Sequence, residues 1–122
     1  MISVGTILNV IDNSGAKKVK CLKILGGSNI KSGVVGNFII VSVQTINHLK
    51  KIKKGEIYKA VIVCTKKSKL RKNGSFVFFD KNGVVILNNK NLPLATRLLN
   101  PVMAELRELN LSKIISMATV VI

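Results

Sequence analysis

The sequence predicts a mainly β protein, a small barrel or sandwich built as one domain over residues 1–122. Three observations lead there. Short β-branched runs recur along the chain with Gly, Asn and Asp clusters between them. No segment of the first 90 residues repeats its apolar residues at the helical period. A hydrophobic content of 48% over 122 residues can bury one proper core.

Taken in order, Thr6–Ile11 reads as a first strand, ended by Asp12-Asn13-Ser14-Gly15, whose side chains bond their own backbone and favour turns. Lys17–Leu25 is a second strand with Val19 and Cys21 on one face and Lys18 and Lys20 on the other. That parity breaks at Leu22 and Ile24, which predicts a bulge near Cys21 or Leu22. Gly26-Gly27-Ser28-Asn29 is a turn, and Phe38–Ile46 is a third, nearly apolar strand. Lys50–Gly55 connects it to a fourth, Tyr58–Thr65. Phe76–Phe79 and Val84–Leu87 follow, separated by Asp80-Lys81-Asn82-Gly83, and Asn-Gly at 73–74 and 82–83 tolerates positive φ in tight turns. Only the C-terminal part, about 100–117, has helical character. Asn100 is a predicted N-cap with Pro101 at the first helical position, and Val102, Leu106 and Leu109 fall on one helical face. Lys113–Met117 is a further turn of helix, and Thr119–Ile122 packs back on the body.

Charge narrows the function. Twenty Lys and Arg against five Asp and Glu give a formal charge of +15, a self-repulsion that implies a partner of opposite sign. An anionic membrane would call for an amphipathic helix or a long apolar span. The longest uncharged apolar-rich stretch, Ser32–Leu49, is interrupted by Gly33, Gly36, Asn37, Gln44 and Asn47. Met1–Thr6 lacks the pattern of a signal peptide or a presequence and reads as the start of a mature domain. Cys21 and Cys64 lie in apolar runs and are expected as buried free thiols in a reducing compartment. With one histidine, His48, and no Cys-x-x-Cys, no metal and no cofactor are expected.

An enzyme is not expected either. The five carboxylates, Asp12, Glu56, Asp80, Glu105 and Glu108, are scattered, and Glu105 and Glu108 read as a solvated helix face beside Arg107. His48 has no sequence partner for catalysis. Asp80 or His48 in a cleft would be the enzymatic alternative.

Nucleic acid fits better. Tyr58–Thr65 and Ser75–Asn89 enclose Lys66–Gly74, which carries Lys66, Lys67, Lys69, Arg71 and Lys72 and no acid. Two further basic segments join it: Lys17, Lys18, Lys20 and Lys23, and Lys50, Lys51, Lys53 and Lys54. Three such segments with almost no balancing acid point to a phosphate-binding surface. Phe76 and Phe78 alternate on a strand, either as base-stacking platforms or as barrel filling. With aromatics at 4% and no Trp, filling is the expectation, and recognition then rests on phosphate, sugar and shape, which suits folded RNA.

The run Asp12-Asn13-Ser14-Gly15-Ala16-Lys17, then Cys21 and Gly26-Gly27, Ile52-Lys53-Lys54-Gly55, Lys59–Val63, Asn73-Gly74-Ser75 and Phe79-Asp80 resemble the universal large-subunit ribosomal protein fourteen. So do Asn82, Leu87-Asn88-Asn89, Thr96-Arg97, Pro101-Val102, Glu105-Leu106-Arg107 and Lys113–Ser116. The resemblance is collinear over the whole chain. It implies a five-stranded β-barrel, of the OB-like or SH3-like small-barrel kind, with short C-terminal helices. It also implies assembly on large-subunit rRNA beside ribosomal proteins three and nineteen, contributions to intersubunit bridges with small-subunit rRNA, and a docking site for a ribosome-silencing factor at Thr96, Arg97 and Lys113. Departures from the family pattern are Cys64 for a usual arginine, Gly83 for alanine, Ala95 and Asn100 for glycines and Ala104 for a basic residue. Lysine over arginine and abundant Ile and Asn indicate an A/T-rich gene. The expected place is therefore an organelle-encoded ribosomal protein of the mitochondrial matrix, with a plastid or an A/T-rich bacterium as the alternative. The rival function is a free single-stranded-RNA-binding barrel using Phe76 and Phe78.

Overall fold

The computed structural model describes residues 2–26, 32–47, 52–109 and 111–122. The expected turn through Gly27-Ser28-Asn29, His48, Lys50, Lys51 and the Glu108 side chain lie outside the described residues.

Five strands close a barrel: β1 (Ile7–Val10), β2 (Ala16–Ile24), β3 (Phe38–Ile46), β4 (Ile57–Cys64) and, after an excursion, a fifth wall strand, Gly83–Leu87. Every wall pairing is antiparallel except the closing one, where β1 runs parallel to Gly83–Leu87. Between β4 and the last wall strand the chain leaves the barrel as a two-stranded ribbon, β5 (Lys69–Leu70) and β6 (Phe76–Val77); Gly83–Leu87 is then β7. Two short helices follow, α1 (Glu105–Glu108) and α2 (Ser112–Met117).

Alternation sorts the side chains. In β3, Ile39, Val41 and Val43 are buried while the residues between them are more open. In β2 the buried set is Ala16, Val19, Cys21 and Ile24, and the change of phase after Cys21 coincides with a register shift between Cys21 and Lys23 against β3. The expected bulge is there, and it leaves Leu22 and Lys23 both facing water. Both cysteines are free and buried, and burial pushes the Cys64 thiol up to about 11, with the Asp80 charge adding to it.

β4 and β7 do not alternate. Ala60–Cys64 and Gly83–Leu87 are buried at every position, the mark of strands covered on both faces. The cover is the C-terminal segment: Leu98, Val102, Met103, Leu106 and Ile114 belong to the same buried cluster. This changes the expected helix. Asn100 is not an N-cap and Pro101 does not begin a helix. The Met103 N–H donates to Val63 O (3.1 Å), Val102 N–H to Val120 O and Ile122 N–H to Val102 O. Extended pairing with β4 and with the last residues takes the backbone groups that a helix would need, so α1 starts at Glu105 and Leu109 is left exposed. Thr119–Ile122 packs back as expected, through a parallel bridge between Val121 and Val102.

Gly74 has φ +87° and closes the ribbon, as its Asn-Gly dipeptide predicts. Gly83 is different: its φ is not in the left-handed region, and what it supplies is space. A Cβ there would stand 2.5 Å from Cys64 Sγ and 2.9 Å from Ile11 Cγ2. Cys64 and Gly83, two of the five departures noted with the resemblance, thus face each other, the sulfur filling the volume a methyl group would take.

Gly83→Ala is therefore expected to destabilise the protein by about 1–3 kcal/mol through overpacking, and adding Cys64→Ala to recover part of that loss. Denaturant unfolding of the single and double variants measures the coupling.

Candidate nucleic-acid interface

The described lysines of the three basic segments sit on three pieces of scaffold. Lys17, Lys18, Lys20 and Lys23 are exposed because they take the outward positions of β2. Lys53 and Lys54 are exposed on the turn into β4, and Lys66, Lys67, Lys69 and Lys72 are exposed on the ribbon. Lys59, also in a basic stretch, instead lays its ammonium over the Phe38 ring, 4.8 Å from the centroid.

Few acids are present, and three of them hold this scaffold in place. Glu56 shapes the Lys53-Lys54 turn: its Oε1 accepts from the Lys53 N–H at 3.0 Å, and its Oε2 accepts from the Tyr58 hydroxyl. Glu105 anchors the ribbon, taking Arg71 Nε at 2.8 Å and Nη2 at 3.4 Å, while Arg71 Nη2 also donates to the Ile122 backbone oxygen. Burial alone pushes the Glu105 carboxyl up, but the hydrogen bonds and charge of Arg71, with a backbone hydrogen bond and Lys69, bring it below its ordinary value. Glu105 is thus a half-buried anchor rather than a solvated helix face. Arg71, expected among the phosphate contacts, has its guanidinium engaged within the chain.

The third acid, Asp12, ties three segments together. It is 3% exposed. Its Oδ1 accepts from the Ser14 N–H (3.0 Å) and hydroxyl (2.6 Å), and its Oδ2 from the Ile86 N–H (3.0 Å). Burial raises its carboxyl above the ordinary value, and the Ser14 and Ile86 donors lower it only in part. Asn13 next to it holds the segment that was expected to face protein partners. Its Oδ1 accepts from the N–H groups of Thr96 (3.1 Å) and Arg97 (3.2 Å), and its Nδ2 donates to Thr96 Oγ1 (3.1 Å). Thr96 and Arg97 are exposed on this junction, and Lys113 is exposed on α2. No hydrogen bond or ion pair among the described residues joins Lys113 to the other two.

Concavities adjoin the cations. One of about 280 Å³ is lined by Asn9, Asn13, Lys17, Lys81 and Asn100 among others. A second, of about 540 Å³, lies between the ribbon and α1, with Lys69, Arg71, Lys72 and Glu105 on its walls. Among the described residues no cluster of His, Cys, Asp and Glu could hold a metal ion, and no helix is long and apolar enough to cross a membrane.

A family model described as ribosomal protein L14p/L23e matches residues 1–122, end to end. The chain belongs to the ribosomal protein L14p/L23e family. The family is one of structural constituents of the large ribosomal subunit, non-enzymatic in kind, and membership implies association with the ribosome and its RNA. The closed five-strand barrel with two short helices agrees with the architecture expected from the resemblance.

One expectation is overturned on the ribbon. Phe76 and Phe78 do not fill the barrel: they are 64% and 69% exposed, whereas Val77 and Phe79 turn inward against the core. The alternation was legible, but its phase was not, because β6 pairs with β5 and belongs to no barrel wall. Glu56 and Glu105 were missed as positioning residues. Glu56 carries a local signal, three residues after Lys53, whereas the partner of Glu105 lies 34 residues away in sequence.

Two tests follow from these anchors. Asp12→Ala leaves the Ile86 N–H buried without an acceptor, which costs about 1–3 kcal/mol; denaturant unfolding and faster hydrogen exchange at Ile86 report it. Tyr58 is the sole tyrosine and there is no tryptophan, so ultraviolet titration reads its hydroxyl alone. The Glu56 hydrogen bond, followed by burial and the Glu56 charge, pushes it up to about 12, and Glu56→Gln is expected to return it towards about 10. The unfolded chain loses that proton first, so stability falls as pH rises from about 10 to about 12 in the wild type and falls less in the variant.

Proposed function

We propose that the chain binds large-subunit rRNA through the lysines of its three basic segments as a structural constituent of a bacterial-type large subunit. The phosphate-contacting set is Lys17, Lys18 and Lys20; Lys50, Lys51, Lys53 and Lys54; and Lys66, Lys67, Lys69 and Lys72. Arg71 serves by holding the ribbon to α1. The observation that carries this reading is the whole-chain family match in a protein of formal charge +15. Each lysine that neutralises a phosphate releases a condensed counterion, which is where the affinity originates.

The finer assignments follow the family resemblance. The neighbours on the subunit are ribosomal proteins three and nineteen, and the chain contributes to bridges with small-subunit rRNA. Thr96, Arg97 and Lys113 form the docking site of a ribosome-silencing factor, for which Asn13 presents Thr96 and Arg97. The ribosome is mitochondrial and the gene organelle-encoded, a reading supported by the A/T-biased residue usage; plastid and A/T-rich bacterial ribosomes are the alternatives. The exposure of Phe76 and Phe78 favours one rival, a free single-stranded-RNA-binding barrel.

Sedimentation separates the two readings: co-migration with large subunits through moderate salt is expected, and a solely free pool overturns the proposal. With ~6–10 phosphates contacted, affinity for large-subunit RNA falls by ~10³–10⁵ between ~50 and ~200 mM salt. Replacing Lys66, Lys67, Lys69 and Lys72 by glutamine lowers the salt slope by roughly one for each phosphate that is no longer neutralised.

A further inference from the structure

We propose that the outward face of the ribbon, Leu70, Phe76 and Phe78, is a stacking ledge for unpaired nucleobases of RNA. This deepens the rRNA-binding reading and rests on it. Leu70 stands directly opposite Phe76 in the β5–β6 pairing, so their side chains share a face. All three are well exposed, Leu70 at 60%. A ribbon with two residues in each strand has no reason of stability to turn large apolar groups to water.

The ledge is held rather than loose. From Phe76 to Phe79 the side chains alternate out and in, with Val77 and Phe79 packed against the core. The Phe79 N–H donates to Thr65 O at 3.0 Å, and the Arg71 N–H to Ser75 O at 2.8 Å. Asn73 Oδ1 accepts from the Ser75 N–H and hydroxyl, at 3.0 and 2.6 Å, and stiffens the turn. The Arg71–Glu105 pair fixes the ribbon to α1. Rings presented on a pre-ordered backbone lose little entropy when a ligand stacks on them.

The surroundings select the ligand. Lys66, Lys67, Lys69 and Lys72 are exposed on the same ribbon, and from Lys66 to Phe79 the chain has no carboxylate. An apolar protein surface would have to cover the rings while leaving these ammonium groups without counter-charges. An RNA strand with unpaired bases supplies both complements at once, aromatic faces for the rings and phosphates for the lysines. Exposed aromatics at alternate strand positions are also how sheet-based RNA modules receive two or three bases. Duplex RNA, its bases already stacked, offers the lysines phosphates and the rings nothing.

The test uses the full-length chain and three labelled probes: a short single-stranded oligoadenylate, an abasic ribose-phosphate strand of the same length, and a duplex of that length. Phe76→Leu and Phe78→Leu keep an apolar group and remove the ring, and thermal melts confirm the fold. Each is expected to weaken oligoadenylate binding by about tenfold and to change binding of the abasic strand and the duplex by less than about twofold. Phe76→Tyr and Phe78→Tyr, which keep the ring, are expected to bind oligoadenylate as the wild type does. Equal losses on the abasic strand, or no loss on any probe, overturn the ledge while wild-type co-sedimentation with large subunits leaves the rRNA reading standing. Leucine variants that bind RNA normally but fail to enter large subunits overturn it in favour of a protein partner. A wild-type chain that binds neither oligoadenylate nor large-subunit RNA overturns both.

Discussion

The fold depends on one buried carboxylate at the point where β1 leaves the barrel. Parallel closure between β1 and β7 is short, with Asn9 opposite Gly83 and Val10 opposite Val84, and beyond Ile11 the wall would have no partner for the Ile86 N–H. Asp12 Oδ2 takes that hydrogen, and the Leu94 N–H donates to the Ile86 carbonyl. Asp12 Oδ1 meanwhile sets the turn at Ser14, and Asn13 clamps Thr96 and Arg97. One dipeptide therefore seals the barrel and decides where the C-terminal segment begins its return over β4 and β7. Burying a carboxylate costs desolvation, which its raised protonation tendency records; three donors offset that cost.

The same economy governs the basic surface. A chain of this charge repels itself, and its few acids could have been scattered for general compensation. Instead Glu56 shapes the turn that carries Lys53 and Lys54, and Glu105 anchors the ribbon that carries Lys66–Lys72. The lysines around these anchors remain exposed. A cationic surface ordered in advance loses less entropy when an anionic partner binds, while the guanidinium of Arg71 is given over to the anchor.

The ribbon is tied to the core on one face and open to solvent on the other. It lies in the connection between neighbouring wall strands, so the barrel loses nothing in closure by extending it. Its inward residues, Val77 and Phe79, link it to the core, and its outward residues face solvent. The basic stretch Lys66–Lys72 and the rings that follow form one structural unit with two chemistries.

Local pattern was enough for much of this. The bounds of β3, the bulge after Cys21, the Asx turn at Asp12–Ser14, the positive φ at Gly74 and α2 all depend on residues a few positions apart. The collinear motifs also sufficed for the family and hence the barrel. Other features depend on partners far along the chain, and those only the tertiary structure decided. Val102 and Ala104 pair with the last residues and Met103 with β4 rather than starting a helix, because these distant partners take the backbone groups a helix would need. Gly83 is a question of space beside Cys64, not of turn conformation. Phe76 and Phe78 face water because β6 joins a ribbon and not the wall. Periodicity tells which residues share a face; which face meets the core is settled only when the strands choose their neighbours.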